Sequence, residues 1–179
     1  MEKNRVADFF GELNSTVNYG SGKMANTKPW EISNLSIRKD LSSSSKIILN
    51  QRLGNLLSSI NLYLTEINPK NLHDIRISLR RVRYSMELFL ICFNRKKYMS
   101  FYKMISQLQD LSGEARDLDI FKQNISAFSP QHYSYKPKLH FGKIEEKQER
   151  LLESLKIGLM KFVHSKELKE FKKLINYHL

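Results

Sequence analysis

The sequence predicts an all-α protein: a bundle of four main helices with a short fifth helix behind them and a partly ordered arm in front. Three observations carry this. From Ser42 onward apolar residues recur at three- and four-residue spacing, and the alternation of a half-buried strand is nowhere sustained. Seven glycines and four prolines in 179 residues are too few for a turn-rich sandwich or barrel, and no glycine-rich nucleotide loop is present. With 41 % hydrophobic and 27 % charged residues the composition is globular. A chain of this length should bury roughly two-thirds of the surface its unfolded form exposes.

The elements follow in order. Residues 1–41 read as an extension. Val6, Phe9, Phe10 and Leu13 fit a short helix over Arg5 to Leu13, Val17 to Asn26 lacks apolar periodicity, and Lys28-Pro29-Trp30 breaks any helix. Trp30 and Ile32 are expected to anchor this arm on the body, which occupies 42–179. The serines Ser42 to Ser45 offer N-caps to a first helix reaching about Thr65, with an apolar stripe of Ile48, Leu49, Leu53, Leu56, Leu57, Ile60 and Leu64. Asn68-Pro69 ends it, and the second helix should run from about Asn71 to Phe93. A third is expected from about Lys97 to Ile125, closed by the proline-containing loop Ser129 to Lys138. A fourth covers about Phe141 to Val163 and a fifth about Lys166 to Asn176.

Charge narrows the function. Thirty Lys and Arg against 18 Asp and Glu give a net charge of +12, a balance that suits a polyanionic partner. The single cysteine, Cys92, excludes an intramolecular disulfide and any multi-cysteine zinc site. His132, His140, His164 and His178 show no metal-ligand spacing, so neither a metal nor a cofactor is expected. Met86 to Phe93 is too short and too interrupted to span a bilayer, and no apolar signal segment follows Arg5, so the expected compartment is the cytoplasm.

The second helix holds the informative pattern. At about 100° per residue, His73, Arg76, Arg80, Arg83, Tyr84 and Glu87 share one sector, while Ile75, Leu79, Val82, Met86, Phe89 and Leu90 fill the opposite one. Three guanidiniums and an imidazole along three turns repel one another unless an anion or a carboxylate stands between them. Within the helix only Glu87 shares their sector. Each arginine offers a planar fork of donors matched to phosphate oxygens. On the third helix Gly113 interrupts a helical pattern, as close packing or a kink would require. Asp117 and Asp119, two apart, point to different sides and cannot form an acid–base dyad. Their expected work is to orient Arg116 or arginines of the second helix.

Together, His73-Asp74-Ile75-Arg76 with Arg80-Arg81-Val82-Arg83, and Leu111-Ser112-Gly113-Glu114-Ala115-Arg116-Asp117-Leu118-Asp119, resemble the CHAD family, the conserved histidine α-helical domain. The resemblance implies two similar four-helix bundles around a basic channel that binds inorganic polyphosphate, in proteins associated with polyphosphate granules or fused to triphosphate-tunnel hydrolases. It implies polyphosphate-binding roles for His73, Arg76, Arg80, Arg83 and Arg116, and for Arg81, which points off the main sector. The His–Arg helix occurs once in this chain, so it resembles one half of the usual arrangement, and a homodimer is the expected way to supply the other. The expected function is therefore non-catalytic polyphosphate binding. A helical nucleic-acid binder is the alternative, although Tyr84, Tyr98, Phe101 and Tyr102 fall more at core spacing than beside the arginines. A triphosphate hydrolase would need metal-holding glutamates on strands that the sequence does not offer. A membrane-surface role would need apolar stripes that the bundle core already uses.

Overall fold

The computed structural model describes residues 40–128 and 138–177, together with Ile32 and Leu35, the side chains of 125–128 and 138–141 excepted. The expected helix over Arg5 to Leu13, the anchoring Trp30 and the loop from Ser129 up to the fourth helix lie outside the described residues. Five α-helices follow one another: α1 (Leu41–Thr65), α2 (Pro69–Leu88), α3 (Arg95–Phe128), α4 (Lys138–Val163) and α5 (Lys166–Leu174), with a 3-10 turn at Leu90–Cys92. No strand occurs among the described residues.

The start of α1 differs from expectation. Its N-cap is Asp40 rather than one of the serines: the Ser43 N–H donates to Asp40 Oδ1 at 2.8 Å, and the Ser43 hydroxyl to Oδ2 at 2.7 Å. A carboxylate accepts from both and suits the positive end of the helix dipole, which a serine does not. These bonds hold the Asp40 carboxyl below its ordinary value. Asn68 caps α2 in the same way, accepting from the Asn71 N–H at 2.7 Å, with Pro69 in the first turn, where no N–H is needed. α2 also stops earlier than expected, at Leu88. The backbone tightens into the 3-10 turn, and Tyr98 of α3 donates its hydroxyl to the Met86 carbonyl at 2.9 Å.

Neighbouring helices in sequence are neighbours in space. α1 packs on α2, α2 on α3 and α3 on α4, while α5 folds back onto α3 and α1 meets α4 only lightly. One core runs through all five: Leu53, Leu56 and Ile60 of α1, Ile75, Leu79, Val82 and Met86 of α2, Phe101 and Ile105 of α3, Leu155 and Phe162 of α4, and Phe171 of α5 are fully buried. Phe101 is the hinge of this packing. Its ring stacks on Phe171 at 4.0 Å between centroids and lies 5.6 Å from Phe162. The C-terminal end is clasped to α1. Asn176 adopts a left-handed φ of 55°, Tyr177 N–H reaches the Lys172 carbonyl at 2.8 Å and Asn176 N–H the Lys173 carbonyl, closing a Schellman cap. Asn50 of α1 donates to the Ile175 carbonyl at 3.1 Å. Tyr177 Oη lies 3.4 Å from where a side chain on Gly54 would begin.

Candidate functional site

Burial of Leu72, Ile75, Leu79, Val82 and Met86 fixes the roll of α2 about its axis. Its other flank then faces α3 across a groove of about 400 Å³. Arg76 and Arg80 line the α2 side, and Asp110, Glu114 and Asp117 line the α3 side, with Gln109 and Gly113. Among the described residues neither arginine makes an ion pair within 4 Å or a hydrogen bond. Gln109 Oε1 is likewise buried without a hydrogen-bond partner. Two unpaired cations thus share a cleft with three carboxylates that do not touch them.

Arg83, one turn beyond Arg80, is held differently. Its Nε–H is shared between Glu87 Oε1 at 3.0 Å and the Tyr102 hydroxyl at 3.2 Å, and Tyr102 donates to the same Glu87 oxygen at 2.6 Å. The guanidinium carbon lies 5.9 Å from the Tyr102 ring centroid, a cation–π distance. The Tyr102 bond first, and the Arg83 bond after it, hold the Glu87 carboxyl below its ordinary value. The Tyr102 and Glu87 bonds hold the Arg83 guanidinium still more firmly protonated.

A family model describing the CHAD domain matches residues 24–174. The chain belongs to the CHAD family. CHAD domains are associated in general with polyphosphate binding and are generally non-catalytic binding modules. No curated protein and no solved structure matches the chain. No helix among the described residues is long and apolar enough to cross a membrane, and none of them form a group of three or more side chains suited to a metal ion.

The six CHAD motif residues singled out in the sequence do not converge on one place. Arg76 and Arg80 share the groove, Arg83 continues their row, and His73 is exposed one turn before Arg76. Arg116 stands apart from the lining and pairs with Asp119 on its own helix. Arg81 is on the other flank, in a cleft of about 350 Å³ between α1 and α2 beside Asn55, Ser59 and Ser78. Burial first and the Arg81 charge second push the Arg52 guanidinium of α1 below its ordinary value.

Three expectations change. Gly113 is not required by packing, since a Cβ there would meet nothing within 4 Å, and α3 continues unbroken through it. Of the two α3 carboxylates expected to orient arginines, Asp119 pairs with Arg116, whereas Asp117 lines the groove with Asp110 and Glu114 without an ion pair to Arg76 or Arg80. Of the four aromatics placed at core spacing, Tyr98 and Phe101 are buried. Tyr84 is exposed next to Arg83 in sequence, and Tyr102 bonds Arg83 directly. The acidic row was detectable, as 110, 114 and 117 fall on one helical face. Tyr102 carried no signal within its own helix.

Proposed function

We propose that this CHAD chain binds inorganic polyphosphate without catalysis, along the arginine row of α2. The observation that carries the reading is that Arg76 and Arg80 line one groove with no ion pair to any described residue. An arginine without a carboxylate partner keeps all its donors for phosphate oxygens, and successive forks one turn apart suit a linear polymer with no base edges to read. The facing carboxylates repel a polyanion, so the chain is placed against the arginine wall, where charge-assisted bonds are on offer. The net charge of +12 adds attraction at distance. Two copies paired about a two-fold axis would set two such rows around one polymer.

The test is binding of labelled long-chain polyphosphate near physiological salt, with duplex DNA as competitor, for the parent and an Arg76→Ala/Arg80→Ala variant matched for folding. The expected result is binding that resists DNA and is lost in the variant, with the log–log salt slope reduced by about one for each arginine removed. A variant that binds as well as its parent, or DNA that displaces the polymer at equal phosphate concentration, would reject the reading.

A further inference from the structure

Arg83 has an acid and a phenol as partners, and at first sight these neutralise it. The atoms involved say otherwise. A guanidinium carries five N–H donors, one on Nε and four on the two Nη groups. Both contacts of Arg83 go through Nε, to Glu87 Oε1 and to Tyr102 Oη. Its Nη groups make no hydrogen bond among the described residues. With Nε engaged, the two Nη groups remain as an edge that can grip two phosphate oxygens at once.

The protons around Tyr102 fit a single arrangement. Glu87 is acceptor-only, so the 2.6 Å contact requires the Tyr102 hydroxyl to donate to it. The Tyr102 oxygen is then left to accept from Arg83 Nε. The three groups close a ring with its donor directions fixed, and the guanidinium lies within cation–π distance of the ring that completes it. A surface arginine otherwise samples many rotamers, and ordering it on binding opposes affinity. Here the ordering is done before any ligand arrives.

We propose that Tyr102 and Glu87 are positioning residues for Arg83, clamping its Nε edge so that the Nη edge stands ready for phosphate oxygens one turn beyond the Arg76–Arg80 groove. The inference rests on the polyphosphate reading and adds to it a part of the site contributed by α3.

The decisive variant is Tyr102→Phe, which keeps the ring and removes the oxygen. It is compared with Arg83→Ala and with the double variant, using labelled long-chain polyphosphate at several salt concentrations. Tyr102→Phe is expected to weaken binding about threefold to tenfold, the range expected for ordering one long side chain. Its salt slope should equal the parent's because no charge is lost, whereas Arg83→Ala lowers the slope by about one. In the Arg83→Ala background, removing the hydroxyl should change nothing further. Parent-like affinity in Tyr102→Phe, or an equal loss with and without Arg83, overturns the positioning role while leaving the Arg76–Arg80 result standing. The clamp is also readable without ligand: the Arg83 Nε–H proton should exchange slowly with water in the parent and rapidly in Tyr102→Phe. Rapid exchange in the parent would overturn it.

Discussion

Replacing Gly113 separates stability from binding at one position. Glycine in a helix interior is less favourable than alanine by about 1 kcal/mol, because it has more backbone freedom to lose. That penalty is normally tolerated where a side chain would collide or where φ is positive. Neither holds here: a Cβ on Gly113 meets nothing within 4 Å, and no described glycine has positive φ. Gly113→Ala should therefore recover the full propensity, about 1 kcal/mol, with no clash to subtract and no buried area to add. For a domain of this size that is a rise in melting temperature of about 3 °C. The added methyl would project beside Arg76 and Arg80 in the groove of about 400 Å³, and Gly113→Leu would fill much more of it while keeping a good helix former. Thermal unfolding and polyphosphate titration of the two variants should thus diverge, with both at least as stable as the parent and the leucine variant losing affinity. A destabilised Gly113→Ala would refute the packing argument. A stable Gly113→Leu that binds like its parent would show that the polymer does not use this groove.

Two further outcomes follow from the packing and the ion pairs. Phe101→Ala removes a ring with no exposure that stacks on Phe171 and abuts Phe162, so it should destabilise by about 3–5 kcal/mol and lower the urea midpoint accordingly. A loss below about 1 kcal/mol would mean that α5 is not held by that stack. The Glu87 carboxyl is depressed in the fold, so its contribution is fully present above the ordinary value of 4.5 and is lost as pH falls through the lower folded value. Its half-exposed position makes the effect small. The melting temperatures of the parent and Glu87→Gln should differ at pH 7 and converge below pH 4.5, and a gap that stays constant on acidification would exclude this origin.

Much of the architecture was legible because one helix at a time carries its own signal. The stripe Leu49, Leu53, Leu56, Leu57 and Ile60 is buried as its spacing requires, and the opposed sectors of α2 separate core from arginines. What escaped was relational. Tyr63 lies fully buried although its helix's periodicity is already satisfied without it, because the facing helices decide how wide the buried stripe becomes. The apolar pattern carries α2 on to Phe93 because Phe89 and Leu90 continue it, whereas the backbone turns after Leu88 and Tyr98 reaches the Met86 carbonyl. Gly113 looked like a packing requirement, which holds only if something within the chain fills the space beside it. The acidic face of α3 is visible in its own projection, but its place across the groove from Arg76 and Arg80, and the Tyr102 bond to Arg83, come from the approach of a second helix, which no single-helix projection displays.

The clasp between α1 and α5 bears on the order in which the protein assembles. The contacts from α1 to α2, α2 to α3 and α3 to α4 join helices adjacent in the chain, so each hairpin closes with little loss of loop entropy. The bond from Asn50 to Ile175 spans 125 positions and has a single side-chain amide at its centre. Such a junction is expected to form after the hairpins and to part early when the bundle breathes. Since the arginine groove is built between α2 and α3 alone, and Phe171 still holds α5 on Phe101 of α3, opening at that seam loosens only the chain after α5 and leaves both walls of the groove in place.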